Sequence, residues 1–188
     1  MAKDIFILLY QIDAPNEPLG YETPDGVLQM KDIPEEKRAT MFLKWVSSYF
    51  KHGDLSSRDF SQLKQLEDDT SRKPTVETIS PEELQTVVDF GPSVKYELAF
   101  LGSQSFLSIN HKQTTKALFD SEIREAWGQH LISCVYCEDS IWNVHYTAWN
   151  LEKEDKGSEI NFIPIPGANH FVRHFLSIDS FKPLWNTI

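Results

Sequence analysis

Cysteine is scarce in this chain: Cys134 and Cys137 are the only 2 in 188 residues. That excludes the disulfide-stapled scaffold of small secreted domains, which needs several pairs. Positive charge is also short, with 18 Lys and Arg against 28 Asp and Glu and a formal net charge of −10. A general nucleic-acid binder draws its affinity from basic side chains that displace counterions, so no nucleic-acid partner is expected. Long apolar runs are missing as well. The longest near the start, Ile5–Tyr10, falls far short of the roughly 20 residues that cross a bilayer, and it is short for a signal-peptide core. The expectation is a soluble, cytoplasmic protein with no membrane partner. The sequence also offers no Gly-rich phosphate loop, no P-loop and no ligand cluster, so no cofactor is expected.

What the chain does contain is core material: 12 Phe, 6 Tyr and 5 Trp, enough for one domain or a domain with an insertion. The two cysteines form a C-x-x-C, but they lie inside Leu131–Cys137, which reads as a buried strand. Residues three apart on a strand point to opposite faces, so they are poorly placed to share a metal. No H-x3-5-H pair stands at zinc-finger distance from the cysteines to complete a four-ligand set, His170 and His174 lying far beyond Cys137, and a redox C-x-x-C belongs at a helix N-terminus.

Hydrophobic periodicity divides the chain into three stretches. Residues 4–10 read as a strand buried on both faces, apolar without a break from Ile5 to Tyr10, and a Pro- and Gly-rich loop follows to about residue 32. From Pro34, apolar residues recur at three and four through Phe42, Leu43, Val46, Tyr49 and Phe50, a helical stripe whose aromatics are expected in the core. A shorter helix is expected over 57–66 and a flexible loop over 67–79. Ser80-Pro81-Glu82-Glu83 is a capping box opening a helix to about Asp89, and further helical patterns lie at 92–100, 104–119 and 122–127. Residues 33–127 thus read as almost wholly helical. The last stretch runs strand 131–137, helix from Trp142 to about Lys156, strand 160–165 and an amphipathic piece reaching Trp185. That is a βαβ unit, so its strands should be parallel.

The fold class expected is therefore α/β, with about three mostly parallel strands and a large helical insertion. In open parallel sheets, chemistry gathers at the carboxyl ends of strands. Those ends carry Asp13, then Glu138-Asp139-Ser140, then Pro166-Gly167-Ala168-Asn169-His170. An acid, an acid and a histidine on one sheet edge make the acid–base part of a hydrolytic triad. His174 reads as a surface helix residue, and His52, His111, His130 and His145 show no partner spacing.

This order resembles the second half of an α/β-hydrolase, most closely its fungal members. The histidine turn of that family is matched by Gly167-Ala168-Asn169-His170-Phe171, and its acid turn, more loosely, by Cys137-Glu138-Asp139-Ser140. The resemblance implies a partial hydrolase core at 1–32 and 128–188, with a helical cap, or lid, at 33–127. It implies His170 as general base and an acid at Asp139, or at Asp13 if the acid follows the sixth strand, Asp139 being preferred. With Cys137 at the family's glycine position, the acid would fall on Ser140. The substrate implied is a small ester-like molecule. The family's nucleophile motif, G-x-S-x-G, is not present in these 188 residues. Two functions follow: a hydrolase-type remnant with little activity alone, or a non-catalytic assembly module. The module would complete its sheet through strand 4–10, by self-association or with a partner chain.

Overall fold

The computed structural model describes residues 9–24, 33–88, 103–127, 132–156 and 160–171. The described end of the strand expected at 4–10 lies in β1 (Leu9–Ile12), residues 4–8 being outside the described residues. β2 (Ile132–Cys137) and β3 (Ile160–Ile165) follow much as the apolar runs predict. All pairing is parallel, in the order β1-β2-β3, with Leu9 opposite Ile132 and Ile132 opposite Ile160. The protein is thus a mixed helix-and-sheet, α/β-type structure. β2 lies between β1 and β3 and is buried along nearly its whole length, while β3 is buried at Ile160, exposed at Asn161 and Pro164 and half-buried elsewhere. Pro164, which has no N–H to give, is tolerated on β3, which is an edge strand among the described residues.

Helix α1 (Glu35–Val46) starts behind Pro34, with Glu35 and Glu36 in the first turn, where negative charge suits the helix dipole. It stops short of Tyr49 and Phe50. The Ser47 and Ser48 hydroxyls both turn back onto the Lys44 carbonyl, at 3.2 and 2.8 Å, and the chain leaves the helix there. Phe50 is nonetheless fully buried, against Val46, Ile141 and Val144.

The helix expected at 57–66 is not formed. Asp54 caps one short 3-10 turn through Ser56 N, and Asp59 caps a second through Ser61 N. Arg58, in the left-handed region at φ 54°, separates them. Acidic side chains that bond their own backbone two residues on favour turns over a continuous helix. Residues 67–79, expected as a flexible loop, are instead fastened: Asp69 N donates to Tyr49 O at 2.7 Å and Thr75 N to Ser47 O at 2.8 Å. Residues 47–79 are therefore far less helical than the sequence pattern suggests.

The Ser80 cap forms as read, its hydroxyl accepting from Glu83 N at 3.1 Å to open α2 (Pro81–Val87). α3 (Gln104–Phe119) and α4 (Ser121–Trp127) follow. The helices expected at 92–100 and in the piece reaching Trp185 lie outside the described residues. α5 (Trp142–Glu154) joins β2 to β3, and Ala148 and Leu151 pack with Ile132, Cys134 and Ile160 to form the main core. Gly20, at φ 81°, lets the turn after β1 press against α3: a Cβ there would sit 2.1 Å from His111 N. Among the described residues no helix is long and apolar enough to cross a membrane.

Candidate functional site

The carboxyl ends of the three strands lie next to one another because the register is parallel. Asp13 N donates to Val135 O at 2.8 Å, carrying the β1–β2 ladder one residue past Ile12. There the backbone turns: Asp13 has φ 49°, a left-handed conformation that aspartate tolerates better than most residues. The turn directs its carboxylate inward, where it is almost fully buried.

That carboxylate has three donors. Oδ1 accepts from Cys137 N at 2.7 Å, and Oδ2 accepts from the Ser140 hydroxyl at 2.6 Å. Oδ2 also faces His170 Nδ1 at 2.7 Å. An ionised carboxylate can only accept, so Nδ1 carries the proton and Nε2 presents a lone pair. The His170 side chain is 25% exposed, and among the described residues Nε2 has no hydrogen-bond partner.

Asp139 does not take this role. It binds Arg72 Nη1 at 2.6 Å, and Arg72 Nη2 donates to Gly167 O at 2.9 Å while its guanidinium lies 3.4 Å above the Tyr49 ring. The preference for Asp139 over Asp13 is thus corrected: the carboxylate on His170 is Asp13. Sequence distance favours Asp139, but its side chain leaves the sheet edge for a cation 67 positions away. Ser140 does not replace the acid either; its hydroxyl supports Asp13.

The turns after β2 and β3 are laced together. Glu138 N donates to Ile165 O and Asp139 N to Ala168 O, both at 3.0 Å. Beneath them sit two histidines that spacing alone did not single out. His52 Nδ1 accepts from Lys64 N, so its Nε2–H donates to Ser140 O at 2.8 Å. His145 Nε2 lies 3.0 Å from Glu138 O, and the two rings meet edge to face at 4.7 Å. Burial lowers both below the usual histidine range, His145 to about 4, so they brace the turn as neutral rings.

Cys134 and Cys137 are both free and buried; burial pushes Cys134 up to about 12 and raises Cys137 as well. A thiol so raised is a poor nucleophile and a poor metal ligand. Among the described residues no cluster of three metal-ligating side chains forms.

Chemically, the site is an oriented imidazole with a buried, hydrogen-bonded carboxylate behind it. Such a pair can take a proton at Nε2 and return it. Comparison with protein-family models, with curated proteins and with solved structures found no match to this chain.

Proposed function

We propose that this chain supplies the acid–base half of an α/β-hydrolase acting on ester-like carbonyl substrates, with His170 as base and Asp13 as its acid. The observation carrying this reading is the 2.7 Å contact between His170 Nδ1 and a buried Asp13 carboxylate at the carboxyl edge of a parallel sheet. In the family it resembles, the acid can follow the sixth strand, which is the place Asp13 occupies if β1 is that strand. Residues 33–127 then act as the cap over the site.

In this reading Asp13 holds the Nδ1–H tautomer and steadies the imidazolium. Nε2 takes the proton of an attacking hydroxyl and later gives it to the leaving alcohol. The nucleophile and the oxyanion donors come from a segment other than these 188 residues, which hold no G-x-S-x-G. One oxyanion donor alone is worth roughly 3–4 kcal/mol of barrier lowering. This chain by itself therefore hydrolyses little or nothing.

The test pairs two assays with short activated esters. The chain alone gives no turnover above buffer. The same chain joined to the coding sequence upstream of it, carrying a strand–turn–helix nucleophile segment, gives turnover that His170→Ala abolishes. An upstream sequence without such a segment, or turnover that survives both His170→Ala and Asp13→Asn, overturns the reading.

A second reading is favoured by one observation: among the described residues β1 pairs with β2 alone, leaving its other side an open edge. Open strand edges invite another strand, and the chain would then be an assembly module whose missing neighbour is another chain. Light scattering after size-exclusion chromatography separates the two. A monomer at every concentration counts against edge pairing.

A further inference from the structure

We infer that Asn169 is a positioning residue that sets the His170 ring against Asp13 from the segment between β1 and β2; the inference rests on the Asp13–His170 pair being the acid–base unit. Among the described residues the His170 ring forms a hydrogen bond only at Nδ1, to Asp13, so the direction of the ring depends on the backbone that carries it. That backbone is a turn beyond an edge strand, containing Gly167 in the left-handed region at φ 69°. Such a turn has little to hold it locally.

Asn169 supplies what the turn lacks. It is fully buried, and its amide is saturated on three sides. Nδ2 donates to Ser47 O at 2.6 Å and to Thr75 Oγ1 at 2.8 Å, and Oδ1 accepts from Phe171 N at 3.0 Å. Ser47 and Thr75 are themselves buried and bonded to each other through Thr75 N and Ser47 O. The peptide on one side of His170 is thereby tied, through the Asn169 side chain, to a segment about a hundred residues earlier (Ser47 lies 122 positions away).

Two further ties act on the same turn. Arg72 holds Gly167 O at 2.9 Å, and Asp139 N holds Ala168 O at 3.0 Å. Phe171 packs against the cluster of Val46, Phe50, Ile141 and Val144. Every residue flanking His170 from Gly167 to Phe171 is therefore gripped, while Nε2 of the ring has no hydrogen-bond partner among the described residues. A buried amide with all its partners in place fixes one geometry, because any displacement strands a polar group without water. An apolar residue at 169 would fill the space without specifying the direction of the ring.

The experiment reads the ring rather than the fold. The full chain, labelled with 15N at histidine, is examined at a pH above the histidine titration range, with His170 assigned by its loss in His170→Gln. The unsubstituted protein gives the Nδ1–H pattern at His170. Asn169→Ala and Thr75→Val convert it to the mixed, mainly Nε2–H pattern of a free imidazole, while the His145 signals stay where they were. Thr75→Val keeps the shape of the side chain and decides the matter if Asn169→Ala fails to fold. An unchanged Nδ1–H pattern in a folded variant overturns the positioning role and leaves the Asp13–His170 pair standing. A mainly Nε2–H pattern in the unsubstituted protein overturns the pair, and this inference with it.

Discussion

Asp13 and Asp139 are both carboxylates at the end of a parallel strand, and their surroundings give them opposite tasks. Asp13 is buried and accepts from Cys137 N, Ser140 Oγ and His170 Nδ1. Asp139 is partly exposed and paired with Arg72. Truncating Asp13 to Ala strands three donors in the interior, a loss of about 3 kcal/mol or more in unfolding free energy. Asp139→Ala removes a pair whose side chains are 29 and 37% exposed, and such pairs contribute about 1 kcal/mol or less. Urea unfolding of the two variants checks the order; equal losses would contradict it.

His145 sets a pH dependence of stability. Its folded value lies near 4, below the ordinary 6.5, because burial penalises the charged ring and His52 stands beside it. The unfolded chain therefore binds a proton that the folded chain refuses. Stability from this group is complete above about pH 6.5 and falls as pH drops towards 4, by an amount of order 3 kcal/mol. Urea midpoints measured from pH 7 to 4 should decline, and His145→Gln should flatten that decline. An identical decline in the variant would assign the effect elsewhere.

At the scale of elements, local pattern and tertiary context divide the molecule between them. The Ser80-Pro81-Glu82-Glu83 box, the β2 run, α5 and β3 are legible because each carries its own signal: a cap, an apolar run or a helical stripe. Residues 57–66 mislead because the apolar residues there suit a helix while Asp54 and Asp59 close turns. Residues 67–79 mislead because polar composition resembles a loose loop. Nothing local indicates that Arg72 will meet Asp139 or that Thr75 will meet Asn169.

Gly20 belongs to the same class of hidden constraint. Its positive φ and the closeness of the α3 backbone both exclude a side chain. Gly20→Ala combines about 1–2 kcal/mol of left-handed strain with a clash against backbone that cannot give. A fall in thermal midpoint corresponding to more than 2 kcal/mol is expected, whereas a shift under 1 °C would show that the turn can move off α3.

At the scale of the whole molecule, the parallel register is what makes a site. Asp13 and His170 are 157 positions apart, and only the pairing of β1 with β2 and of β2 with β3 brings them together. The sequence shows both residues as candidates because each follows an apolar strand. It does not show which acid reaches the histidine, since that depends on a backbone turn at φ 49° and on a competing arginine. The supporting histidines, His52 and His145, are invisible to spacing for the same reason.

The central claim is that Asp13 fixes the tautomer of His170 so that Nε2 is a base. The most direct measurement is the 15N spectrum of the His170 ring in the unsubstituted protein and in Asp13→Asn, which keeps the shape but can present an N–H to the ring. The account predicts Nδ1–H in the first and a shift to Nε2–H in the second, as an amide donor would force. A His170 ring that is already Nε2–H beside Asp13, or one that does not respond to Asp13→Asn, would contradict it.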